Sequence, residues 1–156
     1  MNLSSMIPEL LSALPLTLGI MFVAMIVGFF LALIATFFRV RRIPVISQLA
    51  DLYVSYARSV PVVLQLFVAF YGMPLITDNF GFGDFFTANV AAMIGLSLYH
   101  GGYLSEVMRP AYLAVERGQH DATDSLGYSF RQKMLRIVGP QAVHFALPGY
   151  GNAIIY

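Results

Sequence analysis

Ser97 and His100, one helical turn apart in an otherwise apolar segment, are the nearest this chain comes to a nucleophile and its base. An intramembrane hydrolase would use such an imidazole to take the hydroxyl proton, but it also needs an oxyanion hole. Adjacent turns of a single helix do not supply one, and the sequence contains no G-x-S-x-G, no H-E-x-x-H and no paired membrane aspartates. With no cysteine among 156 residues, disulfides, thiolate metal sites and a cysteine nucleophile are all excluded. There is no G-x-x-x-x-G-K-[ST] loop to hold a nucleotide phosphate. The chemistry left to Ser97, His100 and Gln65 is that of polar groups in a bilayer: a hydrogen bond to a neighbouring helix, or a lining for the pathway of a polar solute. For Gln65 the packing bond is the favoured role.

The most polar stretch, Gly118 to Ala142, reads as a charged helix-turn-helix between apolar segments. Asp121 is placed to N-cap a short helix through Leu126, and Gly127 supplies the left-handed residue that ends it. Ser129 and Gln132 have the S-x-x-Q spacing of a capping box opening a second helix, which Gly139-Pro140 is expected to stop. Within that helix Phe130, Met134, Ile137 and Val138 share one face, and Arg131 and Arg136 point elsewhere.

The elements that position these groups are membrane helices. The chain is 58% hydrophobic and only 11% charged, against roughly 25% charged in soluble domains. Three stretches lack Asp, Glu, Lys and Arg and are long enough to consider as spans: Leu14 to Phe38, Val60 to Thr77 and Phe85 to about Ser105. Ser47, Asp51, Ser55 and Arg58 form a polar stripe on Ile46 to Arg58, which places that segment at or just inside the interface. Glu106 and Arg109, as i, i+3 neighbours, are expected to pair where the third span leaves the membrane. All nine basic residues fall in two connections: Arg39, Arg41, Arg42 and Arg58 in one, Arg109, Arg117, Arg131, Lys133 and Arg136 in the other. The N-terminus and the Asp78 to Asp84 connection have none. By the positive-inside rule both basic connections are cytoplasmic and the N-terminus lies outside. Glu9, with no Lys or Arg before the first apolar run, argues against a cleaved signal peptide. A net charge of +1 gives no nucleic-acid signal.

The hairpin resembles the cytoplasmic coupling loop of ATP-binding-cassette importer permeases, whose pattern is E-A-A-x3-G-x9-I-x-L-P. Asp121, Ala122, Thr123, Gly127, Ile137, Gly139 and Pro140 stand at those positions, with Asp for Glu, Thr for Ala and Gly for Leu. Arg58-Ser59-Val60-Pro61, Gln65, Gly72 and Pro74 are similar to the family's R-G-T-P-x-x-x-Q-x6-G-x-P segment. The block from Gly95 to Arg109 is similar to its third conserved region. Gly118-Gln119, Leu126-Gly127, Ser129, Gln132 and Pro140-Gln141-Ala142 resemble the branch importing polar amino acids of the histidine, glutamine and arginine type, although His144 replaces an Arg usual there.

The resemblance implies an all-α membrane protein, a type I importer-like helix bundle of about five spans, three of them complete here. Residues 1–156 would form a single permease domain containing the coupling loop 118–140. The segment after Ala142 is 14 residues long and interrupted by Pro148, Gly149 and Gly151, so it is not expected to span alone and the sequence looks truncated. In the family's terms Asp121, Ala122, Thr123, Ser125, Leu126 and Gly127 couple to a separate P-loop ATPase, and Gln65, Ser97 and His100 are candidate pathway residues. The chain itself would bind no metal or cofactor; ATP-Mg would serve the motor. Its partners would be that ATPase, a second identical or related permease subunit, an extracytoplasmic amino acid-binding protein and the lipid of a bacterial inner membrane. A scaffold or channel-like bundle without an ATPase is the alternative.

Overall fold

An apolar helix needs protein or lipid around its side chains, and the rest of this chain covers little of the long first helix: Leu10, Phe22 and Phe30 are 65%, 65% and 58% exposed. The computed structural model describes residues 3–81 and 85–155, with side chains described for 7–81 and 85–152. Residues 82–84 of the Asp78 to Asp84 connection therefore lie outside the described residues. The order is α1 (Leu3–Arg41), α2 (Ile46–Ser59), α3 (Val62–Phe67), a π-turn (Val68–Gly72), α4 (Met73–Thr77), a 3-10 turn (Asp78–Phe80), α5 (Ala88–Leu113), α6 (Arg117–Ser125), α7 (Phe130–Lys133), a second π-turn (Met134–Val138) and α8 (Gly139–Ile155). All regular structure among the described residues is helical.

Two continuous stretches are long and apolar enough to cross a membrane, Ile7–Arg41 and Val62–Phe80. At 1.5 Å per residue, the 39-residue α1 is roughly 58 Å long. It exceeds the ~30 Å hydrocarbon layer and must tilt or project beyond it. With 26 residues α5 has a span's length, but Ser97, His100, Ser105, Glu106 and Arg109 make it more polar than those two. Gly72 and Pro74 do not break the second stretch. The chain takes a π-turn ending at Gly72 and resumes as α4 with Pro74 at its start, where a missing N–H costs nothing.

Small residues bring α1, α2 and α5 together, as expected where lipid offers no hydrophobic drive for association. A Cβ on Gly28 of α1 would lie 2.9 Å from the His100 Cβ and 3.1 Å from the Ser97 carbonyl. One on Gly102 of α5 would collide with the Ala57 methyl of α2. Ala32, Ala50, Val54 and Ala57 fill the same seam, all buried. The Tyr53 hydroxyl crosses from α2 to donate to the Leu98 carbonyl at 2.8 Å. The tight corner joining α1 to α2 puts Arg42 at φ 50° and Val45 at φ 68°. A β-branched residue there is strained, since its Cβ crowds the backbone.

Two expected helix ends move. α6 begins at Arg117 behind Glu116, with no side-chain cap, so Asp121 sits in mid-helix instead of capping it. Gly139-Pro140 does not stop the second hairpin helix, and Pro148 does not interrupt the last; α8 runs through both. The π-turn explains the first. The Gly139 N–H bonds back to the Met134 carbonyl, five residues away, and a Cβ at 139 would collide with that same carbonyl. Pro140 follows with no N–H to place, so the change of register strands no donor.

Candidate functional site

The hairpin tip is an exposed turn on a buried foundation. Gly127 takes φ 70°, and its N–H bonds the Asp124 carbonyl at 3.1 Å while the Tyr128 N–H bonds the Thr123 carbonyl at 3.0 Å. This pair of bonds is a Schellman motif, which absorbs the orphan carbonyls of α6. Two residues on, the Ser129 capping box is complete: Oγ accepts from the Gln132 N–H at 3.3 Å, and the Ser129 N–H donates to Gln132 Oε1 at 2.9 Å.

Beneath the turn, Lys133 is 8% exposed. Its ammonium donates to both Asp124 carboxylate oxygens at 2.9 Å and to the His120 carbonyl at 3.2 Å, pinning α7 to α6. Thr123 is buried, donating to the His120 carbonyl at 2.7 Å, and the Ser125 hydroxyl donates to the Asp121 carbonyl at 2.9 Å. Asp121, Ala122, Ser125, Leu126 and Gly127 are exposed, Leu126 at 71%.

The hairpin is tied to the bundle at two places. The Tyr112 ring of α5 meets the His120 ring edge to face at 5.0 Å between centroids, with its hydroxyl 3.5 Å from Nδ1. Phe130, the first residue of α7, takes the Phe37 ring at 5.4 Å and the Arg41 guanidinium at 4.8 Å, both from the end of α1.

His120 is held below its ordinary value of 6.5, first by burial and then by the Lys133 cation, with Asp124, Asp121 and the Tyr112 bond opposing. Well above pH 6.5 the ring is neutral whether the hairpin is formed or not. As the pH falls below that value the unfolded hairpin takes up the proton first, so hairpin stability declines. Amide exchange across Arg117 to Val138, corrected for its intrinsic pH dependence, should therefore speed up between about pH 7 and about pH 5.5. His120→Gln should remove that acceleration.

Of the three polar groups in the apolar segments, two are spent on packing bonds. Gln65, 3% exposed, donates Nε2 to the Ala57 and Val60 carbonyls at 3.0 and 2.9 Å, closing the end of α2, and its Oε1 is buried without a partner. Ser97 donates its only hydroxyl proton to the Met93 carbonyl at 2.5 Å, so it is not poised on His100. His100 faces an apolar cavity of about 320 Å³ between α1, α5 and α8, whose other polar side chains are Tyr103 and Tyr150. Among the described residues no group of three metal-ligating side chains occurs.

The Glu106–Arg109 pair is not formed. Glu106 Oε2 meets Arg39 at 3.1 Å and its Oε1 lies 3.6 Å from Arg58. Arg39 is 8% exposed, and its fork also bonds Asp51 at 2.7 Å and the Ser105 hydroxyl at 3.2 Å, which in turn accepts from Thr36 at 3.1 Å. Sequence placed Arg39 among the topogenic basic residues and overlooked its site. The available signal was acidic: Asp51 and Glu106 are carboxylates within the otherwise weakly charged helices α2 and α5.

Comparison with known proteins agrees with this architecture. The family model for the binding-protein-dependent transport system inner membrane component matches residues 1–156. The probable amino-acid permease protein YxeN of Bacillus subtilis is 41% identical over 97% of this chain and 66% of its own length. The L-cystine transport system permease protein TcyL of the same organism is 37% identical over 96% of the chain and 63% of its own length. A crystal structure of an amino acid ABC transporter with histidines superposes with a TM-score of 0.78 at 28% identity, covering 97% of this chain and 70% of that one. The chain thus spans slightly less than two thirds of the two curated relatives. The family match extends over the whole of this membrane-helical chain, and the chain belongs to the binding-protein-dependent transport system inner membrane components.

Proposed function

We propose that this chain builds one half of the translocation pathway of an ATP-driven amino acid importer and receives its motor on the tip of the hairpin. The observation that carries this reading is the rigid exposed turn from Asp121 to Gly127, held by a Schellman motif above a buried Lys133. Such a foundation fixes the turn against deformation, as a contact that transmits force requires. The relatives' description as permeases for amino acids and cystine supports the substrate class.

In this account α1, the α3–α4 stretch and α5 are spans, the N-terminus is outside, and the hairpin is cytoplasmic beside the basic residues. The chain is one permease domain, with the coupling loop at 118–140. A second permease subunit closes the pathway, a P-loop ATPase binds the hairpin and hydrolyses ATP-Mg, and an extracytoplasmic binding protein delivers the amino acid. Of the three polar residues, His100 is assigned to the pathway because it faces open space; Gln65 and Ser97 are assigned to packing. Closure of the motors shifts the bundle between inward- and outward-facing states through differential affinity for nucleotide and loaded binding protein.

The test is uptake by proteoliposomes containing the complete chain, its ATPase and its binding protein. The expected result is accumulation of labelled amino acid that requires internal ATP. Equilibration without ATP would identify a channel-like bundle instead.

A further inference from the structure

The buried guanidinium of Arg39 joins three helices that come from distant parts of the sequence. It takes Asp51 from α2 and Ser105 and Glu106 from α5, leaving Arg58 at the margin of the same cluster. Two cations and two carboxylates balance, so burial leaves no uncompensated charge. The cluster is nonetheless built to exchange partners. The Asp51 side chain is 59% exposed and that of Glu106 33%, so water reaches both. The Arg58 side chain, 53% exposed and 3.6 Å from Glu106, stands just outside hydrogen-bond range as a second cation for the same carboxylate.

Two further observations make exchange more than a surface rearrangement. The corner that Arg39 closes against Asp51 holds Arg42 and Val45 in left-handed conformations, a strain that persists only where the surroundings enforce it. The same end of α1 also carries Phe37 and Arg41, which clasp Phe130 at the start of α7. The hairpin is therefore in direct contact with the residues of α1 on either side of Arg39.

We propose that Arg39 is a releasable lock: it holds α1, α2 and α5 in one arrangement through Asp51, Ser105 and Glu106, and movement of the hairpin, passed through Phe130, transfers Glu106 to Arg58. It is a positioning residue, acting through helix packing and touching no substrate. This inference rests on the importer function proposed above. A static salt bridge would also stabilise the fold, but its loss would not alter how hydrolysis responds to substrate.

The experiment uses the complete chain reconstituted with its ATPase and binding protein, comparing wild type with Arg39→Gln. Residues 1–156 hold no cysteine; with any cysteine elsewhere in the complex replaced by serine, spin labels are confined to cysteines introduced at Leu49 and Leu113, which are 59% and 58% exposed on α2 and α5. Arg39→Gln should retain the ATPase in wild-type amount, lose at least about fivefold of the stimulation of hydrolysis by loaded binding protein, and show a second label-to-label distance without nucleotide. Arg39→Lys, which keeps the charge but loses the planar fork, should fall between the two. Wild-type stimulation together with a single unchanged distance in Arg39→Gln would overturn the lock. If Arg39→Gln does not fold, Asp51→Asn replaces it, since that carboxylate is already wet; a smaller change in the same direction supports the lock, and none overturns it. Failure to recover an ATPase with wild type itself would refute the importer function, while the distance measurement would still decide whether Arg39 restrains the helices.

Discussion

Tryptophan in place of Gly127 is expected to abolish both ATP-driven uptake and recovery of the ATPase, while the chain still inserts in the membrane. A Cβ at this position meets nothing within 4 Å, so the indole has room and projects into the space a docked partner would occupy. The left-handed φ of +70° adds strain, costing roughly 1–2 kcal/mol for any L side chain. That cost is confined to the turn, below which Lys133, Asp124 and the capping box continue to hold the two helices. Gly127→Ala separates the two effects, having the same backbone penalty without the bulk. It should retain most of the ATPase in detergent co-purification. Equal recovery with Gly127→Trp would show that the motor does not sit on this turn.

Leucine in place of Gly102 should produce a loss of another kind, in the bundle itself. The new Cβ would run into the methyl of Ala57, which is itself fully buried on α2. Neither helix can retreat freely, because Tyr53 and the Arg39 cluster bind α2 to α5 on either side of the contact. Overpacking of this kind costs typically about 1–3 kcal/mol, and more where backbone must move. Gly102→Leu is expected to lower the melting temperature of the detergent-solubilised chain, followed by loss of the monodisperse peak. Gly19→Leu is the control: nothing lies within 4 Å of that position inside α1, and the same substitution should not lower the melting point, since leucine is the better helix former.

The distribution of what could be read from sequence follows the range of the interactions. Gly127 and the Ser129–Gln132 box depend on residues a few positions apart, and both form as their spacing predicts. The helical class and the family were likewise legible, because apolar length and local motifs carry them. Asp121 was misplaced because Glu116 begins the helix one turn earlier without any side-chain cap, leaving no residue-type signal. Gly139-Pro140 has the composition of a helix stop, yet a π-turn changes register just before it. Composition does not distinguish those outcomes. Glu106 was assigned to its nearest cation along the helix, whereas its partners arrive from α1 and α2. That choice depends on the Gly28 and Gly102 seam bringing three helices to close contact, which pairwise spacing does not encode. His100 differs from Ser97 and Gln65 for the same reason, since only tertiary packing decides which polar group is left facing a cavity.

In the proposed importer, the tip of the hairpin lies in the cytoplasm and is covered by a motor. A single cysteine introduced at Leu126, in a chain that otherwise has none, reports both properties through alkylation by a membrane-impermeant maleimide in sealed vesicles of known orientation. Labelling is expected only in inside-out vesicles, with protection when the partner ATPase is present. Labelling in right-side-out vesicles, or equal labelling with and without the ATPase, would contradict the proposal.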